Sequence, residues 1–143
     1  MRTFCAALVA LGLGAASCVL LAAAADKGDK KVETRFFEMR TYYAAPDKMD
    51  ALHARFREHT CKLFAKHGIT VIGFWSPADP EEAKKRLVYI LAFPSREARD
   101  KSWKEFQDDP DWYAAKVESE KDGKLVDKVE SVFLNPTDYS PIK

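Results

Sequence analysis

A chain of 143 residues with 23 Lys and Arg against 22 Asp and Glu has room for one modest domain. That balance gives no electrostatic basis for gripping nucleic acid or an anionic membrane. Three cysteines, Cys5, Cys18 and Cys61, without His or Cys at ligand spacing, exclude a disulfide framework and a structural zinc site.

Met1-Arg2 is a short basic start, and residues 4–25 carry no charge and are rich in Ala, Leu and Val. The run ends in Ala22-Ala23-Ala24-Ala25, followed at once by Asp26-Lys27. A basic start, an apolar stretch and a small-residue end predict a cleaved signal peptide over 1–25. The protein is then secreted or periplasmic, without strong membrane association after cleavage. The apolar run is long enough to span a bilayer, so an uncleaved anchor is the alternative. Lipidation at Cys18 is a weaker one, because Leu is missing three residues before it. Cleavage removes Arg2, Cys5 and Cys18, leaving no net formal charge and one thiol. Residues 26–32 read as a flexible lead-in and 33–143 as the folded domain.

Phe36 to Tyr43 is aromatic and alternating, which predicts a strand ended by Pro46-Asp47. Asp47 suits a helix cap, and Met49, Leu52, Phe56, Leu63 and His67 recur on one face of a long helix stopped by Gly68. On straight helical geometry Cys61 lies about 180° from Leu52 and faces outward. Thr70 to Trp75 is a second strand, 78–85 a charged loop, and Leu87 to Phe93 a buried strand. Ser95 caps a helix to about Gln107. Asp109-Pro110, a cap followed by proline at the first helical position, opens another to about Lys121. Val126 to Leu134 is the last strand, and Asn135-Pro136 opens a short tail. The order β-α-β-β-α(α)-β predicts an α+β, ferredoxin-like sandwich: a four-stranded antiparallel sheet with helices on one face.

Several separated motifs, in order, carry a family resemblance. They are Phe37-Glu38-Met39-Arg40-Thr41-Tyr42, Phe64-Ala65-Lys66-His67-Gly68 with Gly73-Phe74-Trp75, Ser95-Arg96-Glu97-Ala98, Trp103-Lys104-Glu105-Phe106 and Asp109-Pro110-Asp111-Trp112. Together they resemble the NIPSNAP family over about 32–142, with Met39 replacing the usual Leu. The resemblance implies a dimeric α/β barrel, two sheets packed face to face, and hence a homodimer. It implies no settled activity. Related barrels include cofactor-independent monooxygenases and haem-handling proteins, and an enzyme of either kind is the rival to a domain that binds a small ligand or a protein partner.

Alternation in the first strand puts Phe37, Met39, Thr41 and Tyr43 on one face and Phe36, Glu38, Arg40 and Tyr42 on the other. The first set, being more apolar, is expected under the helices, and the second in the barrel interior. There Glu38, Arg40, Tyr42, Trp75 and Tyr89 form the candidate ligand pocket, with Arg40 holding an anionic or carbonyl group and Tyr42 donating a hydrogen bond. The plainer alternative is an interface ion pair, with Trp75, Tyr89, Trp103 and Trp112 as core or interface aromatics. His59 and His67, eight residues apart, are about 12 Å apart along the helix and cannot share one ion. Each is a second-tier candidate, as a general base or haem ligand, against the plainer role of a bonded core-edge histidine. No metal and no cofactor is expected, and GxGxxG, P-loop, GxSxG and HExxH motifs are absent.

Overall fold

The computed structural model describes residues 34–143; the expected signal peptide over 1–25 and the expected lead-in over 26–32 lie outside the described residues. Strand β1 (Phe36–Ala44) is followed by α1 (Met49–Arg55), a π-helical turn (Phe56–Thr60) and α2 (Cys61–Lys66), which run on as one rod. Then come β2 (Thr70–Trp75), a one-turn helix α3 (Pro80–Ala83), β3 (Arg86–Phe93), α4 (Arg96–Gln107), α5 (Pro110–Ser119) and β4 (Val126–Leu134). The four strands form one sheet in the order β2-β3-β1-β4, every pair antiparallel. Both central strands, β1 and β3, carry the buried residues, and helices cover one face. The expected α+β ferredoxin-like sandwich is what the chain forms.

The face of β1 under the helices is the opposite of the one expected. Tyr42 packs edge-on against Phe56 at a centroid distance of 5.9 Å, and Arg40 lies over Trp103 of α4. The β3 residues opposite Phe36, Glu38, Arg40 and Tyr42 are Phe93, Leu91, Tyr89 and Leu87, all in the core. The alternation holds, but charge misled the choice of side. Helix α4 supplies partners for both charges, so Glu38 and Arg40 are buried without being orphaned. Phe37, Met39, Thr41 and Tyr43 take the open face. The C-terminal tail folds onto that face, with Arg35 Nε donating to the Lys143 carbonyl at 2.6 Å, and Phe37 is buried beneath it.

The π turn has consequences for everything C-terminal to it. Thr60 Oγ1 donates to the Arg55 carbonyl five residues back at 3.3 Å. One extra residue in the turn rotates the following residues by about 100° relative to a straight helix. Cys61 is therefore not outward: it is half-buried against the core, and burial pushes its thiol pKa up. Phe64 replaces Leu63 as the deepest residue of α2, at 1% against 7% exposure.

Ser95 accepts from the Ala98 N–H at 3.1 Å and Asp109 from the Asp111 N–H at 2.8 Å, as their cap positions predict. Asp47 does not cap. It sits at φ 60, in the left-handed turn leading into α1, which begins without a side-chain cap. The charged stretch 78–85 holds α3, where Asp79 accepts from the Glu81 and Glu82 N–H groups and Pro80 stands in the first turn.

Phe64→Ala should lower the unfolding free energy by about 3–5 kcal/mol in urea titration. Cys61→Asp should cost about 1 kcal/mol or more, because it places a charge against the core. An unchanged midpoint for Cys61→Asp would return that residue to the surface.

Candidate functional site

The Glu38 side chain is fully buried, with every polar contact supplied by protein. Its Oε1 accepts from Arg40 Nη1 at 2.6 Å, from Arg99 Nη2 at 2.9 Å and from Ser131 Oγ at 2.6 Å. Its Oε2 accepts from Arg99 Nε at 2.7 Å, so the Arg99 guanidinium grips the carboxylate bidentately. Three elements converge here: β1 brings Glu38 and Arg40, α4 brings Arg99, and β4 brings Ser131, which pairs directly with Arg40 across the ladder. Burial pushes the Glu38 carboxyl up, but the bonds from Arg99 and Ser131 and the charge of Arg40 outweigh it, and its pKa falls below the ordinary carboxylate value.

Arg40 joins this cluster to an aromatic one. Its Nε donates to the Tyr89 hydroxyl at 3.0 Å, and its guanidinium lies 4.3 Å from the Trp103 ring centroid and 5.6 Å from that of Tyr42. Tyr89 is fully buried; burial and the neighbouring Tyr42 raise its pKa well above the phenol value, so it is a neutral phenol accepting from Arg40. Burial works against the charge of Arg40, but Tyr89, Tyr42 and Glu38 outweigh it, and the arginine is held cationic. Nη2 of Arg40 has no hydrogen-bond partner among the described residues, and the side chain is 11% exposed.

That exposure opens into a cleft of about 350 Å³ between the β1–β4 side of the sheet and helices α4 and α5. Arg40, Tyr42, Trp103 and Trp112 line it, as does Arg55 from α1. Arg55 is 5% exposed; its Nη1 donates to Glu120 at 2.9 Å, its guanidinium lies 5.3 Å from the Trp112 centroid, and its Nε is buried without a hydrogen-bond partner.

The predicted site residues divide accordingly. Glu38, Arg40, Tyr42 and Tyr89 come together, on the helix side of the sheet and not on the opposite face. Trp75 does not join them: it is 48% exposed, and its ring lies across Gly73, where an added Cβ would fall 2.7 Å from a ring carbon. His59 is exposed in a separate groove between the helical rod and α5, away from the cleft. His67 bonds Asp109 Oδ2 at 2.6 Å, the carboxylate that also takes Lys66 at 2.8 Å and caps α5, so it ties α2 to α5. None of the three histidines lines the cleft. Among the described residues no cluster of His, Cys, Asp and Glu is arranged to hold a metal ion.

Sequence reasoning missed Arg99, Ser131 and Arg55. A signal for Arg99 existed: 96, 99, 103 and 106 fall at helical spacing and mix two arginines with Trp103 and Phe106. Arginine on an otherwise apolar helix face calls for an acid on the opposing sheet. Ser131 and Arg55 carried no such mark.

Glu38→Gln should destabilise the fold by about 3 kcal/mol, near the low end for breaking a buried pair, because Arg40 and Arg99 retain some water. The depressed pKa means that the ionised Glu38 contributes stability above the unfolded carboxylate value of about 4.3, lost as pH falls through the lower folded value. Wild-type stability should therefore drop on acidification below about pH 4.3 more steeply than that of Glu38→Gln, measured by urea unfolding at stepped pH. Parallel curves would mean that Glu38 titrates normally.

Comparison with known proteins places the architecture. The NIPSNAP family model matches residues 37–141. A NIPSNAP family protein with unknown function from Agrobacterium tumefaciens superposes with a TM-score of 0.66 at 22% identity, over 78% of this chain and 96% of that one. A NIPSNAP domain protein from Burkholderia xenovorans gives 0.63 at 21%, over 74% and 98%. A putative antibiotic biosynthesis monooxygenase from Nitrosomonas europaea gives 0.51 at 13%, over 73% and 99%. No curated protein matches. At these identities the structural likeness speaks for the fold, and the family rests on the sequence model spanning β1 to the tail: the chain belongs to the NIPSNAP family.

Proposed function

We propose that this is an exported, homodimeric domain that binds a small ligand in the cleft between sheet and helices. The observation that carries the binding reading is Arg40. A domain that needed the residue only for folding has no use for a guanidinium edge left facing a cleft, flanked by Trp103 and Tyr42. A concave site with aromatic walls and a few fixed polar groups is the usual form of a small-molecule pocket, and 350 Å³ falls at the lower end of their sizes. The rival reading, a cofactor-independent oxygenase or haem-related enzyme, draws on fold likeness alone.

The homodimer is supported by the open face. Met39, Val88, Ile90, Val132 and Leu134 stand together there in register across three strands, with Val132 46% and Leu134 37% exposed. An apolar sheet face of this kind requires a cover. A second copy supplies one of matching chemistry, because an isologous contact sets the same patch against itself. Export is supported by the apolar run ending in Ala22-Ala23-Ala24-Ala25.

Native mass spectrometry of protein from its own source tests all three parts. The expected result is a chain beginning near Ala25 or Asp26, in a dimer that retains a small molecule. A full-length or lipid-modified mass would reject cleavage as stated. A monomer at micromolar concentration in light scattering would reject the dimer, and Val132→Lys should convert the dimer to monomer.

A further inference from the structure

We infer that the ligand of this cleft is an organic anion, a carboxylate or phosphate on a flat apolar body; the inference rests on the binding reading above. Charge is the first ground. Five of the lining side chains are cationic and two acidic. Of the acids, Glu120 is engaged by Arg55. Of the cations, Lys128 is engaged by Glu130 on its own strand, while Lys116 and Lys124 make no ion pair among the described residues. Asp127 is the one lining acid without an ion pair among the described residues, so two free lysines face one free carboxylate and the free charge in the cleft is positive by one.

The second ground is hydrogen bonding. Two arginines enter the wall from different elements, and each has donor capacity left over. Arg40 spends Nε and Nη1 on Tyr89 and Glu38 and leaves Nη2 without a partner among the described residues. Arg55, 95% buried, spends Nη1 on Glu120 and leaves Nε unpartnered. Arg55 Nε is itself shielded from the cleft, so it is Arg40, 11% exposed there, whose spare donor an anionic oxygen would meet, with Arg55 adding its charge behind the wall. Arginine offers donors and no acceptor, so a ligand bound here must accept.

The third ground excludes a cationic ligand. Aromatic cleft walls are also how quaternary amines are held. Here the tryptophan faces are already taken: Arg40 lies 4.3 Å and Arg99 5.2 Å from the Trp103 centroid, and Arg55 lies 5.3 Å from that of Trp112. A second cation would meet arginine where it needs a bare ring. The remaining apolar wall, from Tyr42, Phe106, Val126 and Val129, suits the body of the ligand and not its charge.

The test uses three probes of one shape, 2-naphthoate, 2-naphthalenemethanol and 2-naphthylmethylammonium, titrated into the full mature protein. Tryptophan emission is the readout, since two of the three tryptophans line the cleft. Naphthoate should bind about tenfold or more tighter than the alcohol, the factor expected of charge-assisted hydrogen bonds, and the ammonium weakest. Arg40→Met should abolish the preference for naphthoate over the alcohol. Because Arg40→Met also disturbs Glu38, Lys124→Glu, an exposed change, serves as second variant and should weaken naphthoate binding alone. Equal binding of naphthoate and alcohol, or tightest binding of the ammonium, overturns the anion inference and leaves the pocket. Binding of none of the three, with Trp103 and Trp112 emission unchanged, overturns the pocket reading and this inference together. Naphthoate binding unaltered by both variants puts the anion elsewhere and overturns the assignment to this cleft.

Discussion

A carboxylate with no access to water sits under α4, and much of the domain is arranged around making that tolerable. Isolated, a buried Glu38 would take up a proton. Four hydrogen bonds from three side chains hold it ionised instead, and each donor comes with an element attached. Arg99 fixes the azimuth of α4 over the sheet. Ser131 fixes the register of β4 against β1, an edge pairing that apolar side chains alone would leave open to slippage. Arg40 is drawn down from the same strand and, once placed, is stacked on Trp103. The cost of desolvating the cluster need not be recovered as stability; what it supplies is a unique docking of helix on sheet.

The cleft follows from this docking. Trp103 lies one turn beyond Arg99 on α4, so the grip on Glu38 places an indole over Arg40. Trp112 is positioned separately, by Asp109, which caps α5 while bound to Lys66 and His67 of α2. Those bonds hold the Asp109 carboxyl well below the usual range, so the tie persists through mildly acid conditions. His67 is thus accounted for as a structural brace. The two tryptophan walls are hung from the N-terminal ends of α4 and α5 by two separate ionic anchors, Arg99 to Glu38 and Asp109 to Lys66 and His67.

The sequence was legible where local rules decide the outcome. Strand alternation, the caps at Ser95 and Asp109, the strand and helix order, and the convergence of Glu38, Arg40, Tyr42 and Tyr89 all follow from spacing and residue type. What it hid were facts settled across space. Phe36, Glu38, Arg40 and Tyr42 look like the outward set until Arg99 is known to lie above them. Cys61 looks outward until one extra residue is inserted in the turn at Phe56–Thr60, and nothing in Phe56-Arg57-Glu58-His59-Thr60 announces a π turn. Asp47 has a capping side chain, but the chain reverses there in a left-handed conformation and the helix starts two residues later. Trp75 shares its strand with Phe74, which packs against the core, and differs in facing the other way.

The period-two pattern of β1 lets one strand serve two unrelated requirements. Its even residues build a charged and aromatic face that must be satisfied within the protomer, because a guanidinium and a carboxylate under a helix have to find partners there. Its odd residues, with Val132 and Leu134 beside them, build an apolar face that the protomer leaves bare outside the reach of its tail. A shift of one residue in the pairing of β1 would exchange the faces, burying Thr41 and Tyr43 under α4 and exposing Glu38 and Arg40 where α4 has no reach. The ionic cluster therefore fixes the register for both faces at once. Placing the charges under the helices is also what leaves the outer face largely apolar. On this reading the ligand cleft and the association surface lie back to back across the thickness of one sheet, so each protomer carries its own cleft and association need not cover it.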